Sequence, residues 1–352
     1  MKNEIGIKMY TPADYKKDEA AHLVFEVTNL TDKTLHVLKW NTPLEGLISP
    51  CLDVKAGNKK IEYDGIMIKR GAPKEKDFYT LKPGASVIAK VDLTSAYDIS
   101  RPGEIKVNFD PEKFVYYADE PLTMAVEASA GGFKKKTAAA KAKLSIKPTT
   151  FKMKSGAAKR MTEGQFYRQQ EQKKKAKISP TMMAAMEAPG LLPCSVVGGS
   201  ASRKVIARRA HKNGYELTKA ALAGMLNNAD YKLWFGKHTS LRFAKVKKHY
   251  QTVITKMETT PFTYDLSSEG CESGVFAYTY KGTTTIWFCD AFWAAPDNGT
   301  DSRAGTVLHE HTHATAETDD IQYGQPGCQQ LARTKPASAI NNADTHEYYA
   351  GG

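Results

Sequence analysis

Three histidines stand close together in the stretch GTVLHEHTHATAETDDIQYG, residues 305–324. His309 and His313 are four positions apart, so on a helix their imidazoles share one face, one turn apart. Glu310 follows the first of them, which completes the pattern H-E-x-x-H. Two imidazoles on one face can hold a metal ion, and the adjacent carboxylate can accept a proton from a water molecule there. The spacing therefore predicts metal-assisted hydrolysis.

A third protein ligand must come from outside this pair, because catalytic zinc takes three protein ligands and leaves one position open. The residues after His313 include Glu317, Asp319 and Asp320. The chain must leave the helix there and turn back, which can bring a carboxylate to the ion. Spacing alone leaves these three carboxylates open as the third ligand. The alternative interpretation of the cluster is a solvated helix that is rich in histidine.

The helix that must position this pattern has a plausible start and an apolar side. Asp301 or Ser302 can accept hydrogen bonds from its first free N–H groups. Val307 and Leu308 supply apolar side chains for packing. His311 points off the ligand face, and we interpret it as a packing or supporting group.

The rest of the chain falls into three compositional segments. Residues 1–132 have short β-branched and aromatic runs, such as HLVFEV, with turn signals such as KPGA and SRPGE, which predicts an all-β sandwich. Residues 133–177 form a basic tract that we interpret as a linker. Residues 178–352 combine helical periodicity with one strand pair, GVFAYTY and TTTIWFC, which predicts a mainly helical α+β domain.

The net charge of +12 comes from the basic tract. Residues 133–177 contain fifteen Lys or Arg and two Glu, so the remainder of the chain is near neutral. Such a block is usually a solvated tract. No zinc-finger spacing, RNP-type aromatic motif or basic stripe lies elsewhere, which argues against a nucleic-acid partner. A nucleic-acid binder that uses this tract remains the alternative.

Five cysteines are present, and none forms a CxxC pair, which argues against a structural zinc ribbon. Cys271 and Cys289 bracket the strand pair, and the turn KGTT can form a hairpin that brings their sulfurs together. A disulfide there fits an oxidising compartment. Two buried free thiols are the alternative, and the pairing of Cys51, Cys194 and Cys328 stays open.

Nothing in the sequence predicts a membrane partner, because no run of 18 or more apolar residues occurs. The first residues, MKNEIGIKMYTPADY, lack an apolar leader segment and enter a strand-like pattern directly. Either the protein is cytosolic, or a signal peptide preceding this numbering has been removed.

The run HEHTHATAETDDIQYG resembles the aspzincin, or deuterolysin, family of zinc metallopeptidases. The resemblance implies one Zn²⁺ per chain, held by His309, His313 and Asp320, with Asp319 as the rival to Asp320. It makes Glu310 the general base and Tyr323 the residue that stabilises the oxyanion. Glu317 departs from the family pattern, which has glycine at that position.

The C-terminal run AINNADTHEYYA is similar to the peptidyl-Lys metalloendopeptidases of this family. That similarity makes Asp344 and Glu347 an acidic S1′ pocket, because positions i and i+3 share a helix face and paired carboxylates can bind one ammonium group. A solvated helix face is the alternative. Protein or peptide substrates containing Lys are the implied partners, with cleavage on the N-terminal side of Lys.

The first 132 residues, notably NTPLEGLISPCLDV and YDGIMIKRGAP, resemble the family's propeptide. This implies a secreted proenzyme whose own prodomain is an intramolecular inhibitor, with Lys69 or Arg70 as a candidate pseudo-substrate. Self-cleavage in the Lys-rich linker, at QEQKKKAK, would then release the enzyme. The competing hypothesis is a non-catalytic binding protein with a degenerate metallopeptidase domain.

Overall fold

The computed structural model describes residues 4–11, 20–99, 103–118, 121–123, 147–153, 160–174 and 189–351. They belong to two compact units: residues 1–65 with 72–165, and residues 66–71 with 166–352. Within the described ranges, no helix is long and apolar enough to cross a membrane.

The strands, in chain order, are β1 (Ile5–Tyr10), β2 (His22–Asn29), β3 (Leu35–Leu38), β4 (Leu52–Ala56), β5 (Lys59–Ile61), β6 (Ile66–Arg70), β7 (Phe78–Leu81), β8 (Ser86–Asp92), β9 (Gly103–Phe109), β10 (Tyr116–Ala118), β11 (Thr149–Met153), β12 (Ser195–Val197), β13 (Thr263–Asp265), β14 (Val275–Tyr280) and β15 (Thr285–Phe288). The α-helices are α1 (Glu163–Lys174), α2 (Ala201–Ala223), α3 (Ala229–Phe235), α4 (Ser240–Thr259), α5 (Asp290–Ala294), α6 (Arg303–Ala316), α7 (Gln325–Thr334), α8 (Pro336–Ala339) and α9 (Ala343–Tyr349). Short 3₁₀ turns occupy Pro43–Glu45, Glu75–Asp77, Leu93–Ser95 and Pro111–Lys113.

The first unit is β-rich, as the short apolar runs predict. Within the part of this unit that the structure describes, the strands form three antiparallel sheets in the orders β1-β2-β8, β10-β3-β7 and β11-β9-β4-β5. Strand β9 illustrates how such a run forms a strand. Its residues Ile105, Val107 and Phe109 point into the core and alternate with more exposed residues. Strand β11 lies inside the tract that we interpreted as a linker, and it pairs with β9. Residues 133–146, the Ala-Lys-rich part of that tract, lie outside the described residues.

The second unit is a helical α+β fold around one mixed sheet, ordered β12-β13-β15-β14-β6. Strands β12, β13 and β15 are parallel, while β14 runs antiparallel to β15, and β6 runs antiparallel to β14. Helices α2 and α4 pack against α6. The observed order, a β-rich region followed by a helical α+β region, agrees with the predicted fold class.

Helix α6 packs closely against its neighbours in this unit. Gly214 in α2 lies against it, and a Cβ at that position would meet Val307 Cγ1 at 2.6 Å and Ala304 O at 3.1 Å. Only glycine allows this separation of the two helices without a shift of backbone. Val307 and Leu308 are fully buried in the core, as the apolar side of the predicted helix requires.

The predicted disulfide is confirmed. Cys271 and Cys289 are bonded across the β14–β15 hairpin, with their Cα atoms 5.4 Å apart. Cys51, Cys194 and Cys328 are buried free thiols. Burial raises the pKa of Cys51 to about 12 and that of Cys194 to about 11, so these thiols are poor nucleophiles in the native protein.

Opening the disulfide is expected to lower the free energy of unfolding by about 3 kcal/mol, the value for a cross-link that closes a loop of this size. The measurement is urea unfolding of the wild-type protein with and without a reductant. The double variant Cys271→Ala, Cys289→Ala should match the reduced protein and should ignore the reductant. Equal stability of the oxidised and reduced wild type would contradict the prediction.

Candidate metal centre and active site

Helix α6 carries the H-E-x-x-H pattern and has clear ends. The hydroxyl of Ser302 accepts a hydrogen bond from Gly305 N at 3.0 Å, so Ser302 is the N-cap, one of the two residues expected there. The helix ends at Glu317, which adopts the left-handed conformation with φ 57° and ψ 34°. This conformation explains the glycine that the family pattern has there, because glycine adopts it without strain.

Glu317→Gly is expected to raise the free energy of unfolding by about 1 kcal/mol, because a non-glycine residue pays roughly 1–2 kcal/mol in the left-handed region. Thermal unfolding should show a rise in Tm of about 2–4 °C. Glu317 is exposed, so few side-chain contacts are lost. Glu317→Ala is the control, since alanine keeps the Cβ that causes the strain. Equal gains from alanine and glycine would refute the backbone explanation.

Three side-chain atoms converge beside α6. The Nε2 atoms of His309 and His313 are 3.0 Å apart, and Asp320 Oδ1 lies 3.1 Å from the first and 3.2 Å from the second. All three side chains are buried. Ligands at about 2.0–2.2 Å in a tetrahedron stand roughly 3.3 Å apart, so this spacing fits one zinc ion.

The tautomers of both histidines favour a cation at this point. His313 Nδ1 donates to the Thr318 carbonyl at 2.8 Å, which leaves a lone pair on its Nε2. His309 Nδ1 lies 3.0 Å from Asp344 Oδ1 and 3.3 Å from Glu347 Oε2, so these carboxylates stand on the side of the ring away from Nε2. The two Nε2 atoms and a carboxylate oxygen then meet at one place, and a shared metal ion would satisfy all three.

The electrostatics agree with this interpretation. Burial by itself lowers the pKa of His309, but Asp320, Asp344 and Glu347 raise it well above its usual value. Burial by itself raises the pKa of Asp320, but His313 and His309 hold it well below its usual range. The carboxylates beside these imidazoles favour a positive charge between them, which a divalent cation would supply.

Of the two rival aspartates, the structure brings Asp320 to the histidines and turns Asp319 away. Asp319 forms an ion pair with Lys281, and its Oδ2 accepts from Asn341 Nδ2 at 2.9 Å. Asp320 Oδ2 accepts from the Ile68 backbone N–H at 2.8 Å, which fixes the carboxylate with Oδ1 toward the histidines.

Glu310 is fully buried next to this point, and neither of its carboxylate oxygens has a hydrogen bond of good geometry among the described residues. Burial raises the pKa of Glu310 to about 8, against the opposing charges of His309 and Lys69. A buried carboxylate with a raised pKa can both accept and return a proton near neutral pH. Its surroundings suit the general base predicted from the sequence.

Tyr323 and the C-terminal carboxylates meet strand β6 on the other side of the site. Tyr323 donates its hydroxyl to the Ile68 carbonyl at 3.1 Å. Lys69 is fully buried, and its Nζ lies 2.7 Å from Glu347 Oε2 and 3.2 Å from Asp301 Oδ1. The segment of sequence that contains the proposed pseudo-substrate lysine therefore belongs to this site.

Asp344 and Glu347 share one neighbour, because His309 Nδ1 lies 3.0 Å from Asp344 Oδ1 and 3.3 Å from Glu347 Oε2. Asp344 Oδ2 accepts from Gly324 N at 2.8 Å, and its Oδ1 is the atom that faces His309 Nδ1. The sequence pairs Asp344 with Glu347 from their spacing, but it carries no signal for the contact with His309. Asp301 was considered only as a helix cap, and spacing gives no reason to place it beside an ammonium group.

His311 lies on the opposite face of α6, away from the three converging atoms. Its Nε2 is 2.9 Å from the Tyr264 hydroxyl, which in turn lies 2.6 Å from His211 Nδ1. The ring also packs edge-on against Phe262. These contacts place His311 in the packing between α6, α2 and the sheet.

A helix that presents two histidines and a glutamate beside a mixed sheet, with an aspartate returned from the following turn, defines a zinc metallopeptidase of the zincin type. Comparison with known proteins agrees. The family described as lysine-specific metallo-endopeptidase, Aspzincin M35, matches residues 220–351.

Individual relatives extend the match over most of the chain. An extracellular protease of Aeromonas hydrophila is 29% identical over 92% of this chain and 86% of its own length. A peptidyl-Lys metalloendopeptidase of Pleurotus ostreatus is 37% identical over 44% of this chain and 94% of its own length. A solved zinc peptidase from Grifola frondosa is 34% identical over 44% of this chain and 96% of its own, with a TM-score of 0.40.

The chain belongs to the aspzincin family. It is a zinc-dependent metalloendopeptidase, as the sequence predicts.

Proposed function

We propose that this enzyme is a secreted proenzyme that cleaves protein chains on the N-terminal side of Lys and activates itself by cutting its Lys-rich linker. The observation that carries the proposal is the placement of Ile68 and Lys69. The lysine ammonium lies against Glu347, while the carbonyl of the preceding residue accepts from Tyr323. These two contacts support the proposal that the Ile68–Lys69 peptide bond mimics a scissile bond before a lysine.

The chemistry assigned to the site follows from its residues. A single Zn²⁺ held by His309, His313 and Asp320 would supply an activated water and polarise the substrate carbonyl. Glu310 accepts the proton of the attacking water and passes it to the leaving amine. Tyr323 donates its hydroxyl to the carbonyl oxygen as negative charge develops there.

Strand pairing explains how a substrate would be held. β6 is the edge strand of the mixed sheet and runs antiparallel to β14, with Ile68 opposite Tyr278 and Lys69 opposite Ala277. An extended peptide that pairs with β14 in the same way gains main-chain hydrogen bonds, and its successive side chains point to opposite faces of the sheet. We propose that substrates take the place of residues 66–71 along β14.

The same arrangement supports restraint before activation. Residues 66–71 belong to the same compact unit as the candidate site, and if substrates bind along β14 this segment must leave before one can enter. We propose that the propeptide, residues 1–132, acts through this segment as the intramolecular inhibitor. Lys69, rather than Arg70, is its pseudo-substrate residue, because Lys69 is the one that contacts Glu347.

The Lys-rich linker remains the proposed cleavage region. Helix α1 ends at Lys174, and the following lysines, at 175 and 177, lie outside the described residues. Upstream in the same helix, Glu171 accepts from Thr284 N at 2.8 Å, and Tyr167 stacks on Tyr280 at 4.4 Å. Glu171 and Tyr167 lie on the propeptide side of a cut after Gln172, so these contacts must break before that part of the chain can leave.

Secretion is the compartment we propose for this chain. The disulfide between Cys271 and Cys289 requires an oxidising environment to persist. The relative from Aeromonas hydrophila is named an extracellular protease.

The specificity is tested with purified protein supplemented with zinc and offered a mixed peptide library. Mass spectrometry of the products is expected to show new N-termini that begin with Lys, and elemental analysis is expected to find one zinc per chain. Products with no preference for Lys at the new N-terminus would refute the proposed specificity, while the assignment to the metalloendopeptidases would still hold.

Self-activation is tested by sequencing the N-termini that form when the full chain is incubated with zinc. Cleavage before Lys173, or before one of the lysines at 174, 175 and 177, is the expected result. Glu310→Ala should stay full length under the same conditions. Equally fast processing of this variant would show that another protease performs the cut.

A further inference from the structure

We propose that Asp301 is a specificity-determining residue, a further carboxylate that binds the substrate lysine at the outer end of the pocket. The inference rests on the proposed cleavage before Lys and goes beyond the Asp344 and Glu347 pair that the sequence predicts. Three sets of observations support it: the contacts of the lysine ammonium, the contacts of Asp344, and the backbone conformation of Asp301.

The ammonium of Lys69 lies between two carboxylates of unequal exposure. Glu347 is fully buried and its Oε2 is 2.7 Å from Nζ, whereas the Asp301 side chain is 44% exposed and its Oδ1 is 3.2 Å from Nζ. An incoming lysine would therefore meet Asp301 at the solvent side and Glu347 at the inner end. Both contacts are within the range of charge-assisted hydrogen bonds or close ion pairs.

Asp344 is occupied elsewhere. One of its oxygens accepts from the Gly324 backbone N–H, and the other faces the Nδ1 side of His309. Its charge still acts on the ammonium through space, but of its two oxygens only Oδ1 lies beside the candidate metal ligand, where Glu347 Oε2 stands almost as close. The two carboxylates in direct contact with the lysine are consequently Glu347 and Asp301.

Asp301 has an unusual backbone conformation, and its carboxylate accepts a hydrogen bond from a tyrosine. Its φ is 50°, in the left-handed region that few residues other than glycine adopt. Its Oδ1 also accepts from the Tyr348 hydroxyl at 2.9 Å. A conformation that costs free energy and survives at a ligand contact indicates a functional constraint at that residue.

Two aromatic rings complete the surroundings of the ammonium. Lys69 Nζ lies 5.1 Å from the centroid of Phe276 and 5.9 Å from that of Tyr348. Both distances are within the range of cation–π attraction. Tyr348 therefore contacts the cation with its ring and Asp301 with its hydroxyl, which ties the outer carboxylate to the pocket wall.

The test is Asp301→Asn, which keeps the size of the side chain and tolerates the left-handed backbone. Competing peptides that differ only by lysine or norleucine after the scissile bond are offered to the zinc-activated enzyme. We expect kcat/KM for the lysine peptide to fall about 3- to 10-fold, as for a partly exposed charged contact, with no change for norleucine. Glu317→Gln, another exposed acid with positive φ, is the matched control and should change neither value.

The salt dependence of kcat/KM distinguishes a charge contact of Asp301 from a purely structural role. The contribution of an exposed carboxylate is screened by ions, so the difference between wild type and Asp301→Asn should shrink as salt rises from roughly 50 mM to 500 mM. A difference that stays constant with salt would assign the effect to altered structure and overturn the inference.

A second measurement does not depend on activation. In a Glu310→Gln background the full chain cannot process itself, and cleavage by trypsin after Lys69 reports how often this lysine leaves its pocket. Adding Asp301→Asn should speed that cut by a similar 3- to 10-fold, and adding Glu317→Gln should not. Unchanged trypsin cleavage would show that Asp301 does not hold the ammonium.

The outcomes separate this inference from the proposed function. A wild-type enzyme that prefers lysine over norleucine, with the same preference in Asp301→Asn, overturns the role of Asp301 alone. A wild-type enzyme that shows no such preference overturns both.

Discussion

Glu310→Gln is expected to lower kcat for peptide hydrolysis by about 10²- to 10⁴-fold, the usual contribution of a positioned general base. Glutamine matches the size of Glu310 but cannot take the proton of the attacking water. The three candidate ligands, His309, His313 and Asp320, are unchanged, so bound zinc should stay at the wild-type level. The measurements are steady-state kinetics on a lysine peptide and elemental analysis of the same sample.

Glu317→Gln is the control for this variant, because it removes the same charge from the end of the same helix. It should retain wild-type kcat. Loss of zinc together with activity in Glu310→Gln would mean that Glu310 supports the metal site, and full activity would remove it from the mechanism. The variant should also remain unprocessed if self-cleavage activates the proenzyme.

Asp320→Asn is expected to lose zinc and activity together. Loss of an outer partner of a metal ligand costs about 10- to 100-fold in metal affinity, and the loss of a charged ligand should cost more. Asparagine offers a neutral oxygen where the structure has a buried carboxylate beside two imidazoles. Equilibrium dialysis against graded free zinc measures the affinity, and the peptide assay at saturating zinc measures the residual rate.

The adjacent aspartate gives a matched control. Asp319→Asn removes the same charge one residue earlier, but its carboxylate pairs with Lys281 and Asn341, so zinc affinity should be unchanged. A small loss of stability is expected from the broken ion pair. The reverse result, zinc lost from Asp319→Asn and kept by Asp320→Asn, would show that Asp319 is the ligand.

Several features of this protein follow from short stretches of its sequence. The spacing of His309 and His313 is a property of one helix, and any helix places positions i and i+4 on one face. The cysteine pair spans a single hairpin, so a turn of four residues is enough to bring its sulfurs together. The change from β-rich to helical character follows from the period of the apolar residues.

A short stretch of sequence could not decide whether Asp319 or Asp320 lies beside the two histidines. Successive side chains point in different directions after a helix ends, and the direction depends on the dihedral angles of the turn. Those angles begin at Glu317, whose left-handed conformation is unusual for its residue type. The bond from Ile68 N–H then fixes Asp320, and that donor lies far away in the sequence.

The sequence by itself determined the reaction class, the shared helix face of His309 and His313, the disulfide and the order of a β-rich region before a helical one, because each depends on neighbours within one or two elements. The tertiary structure alone decided which aspartate joins the histidines, that Lys69 reaches Glu347, and that Asp301 lies beside the same ammonium group. These contacts join separate strands, turns and helices, and the geometry between such elements is set by packing that no local pattern specifies.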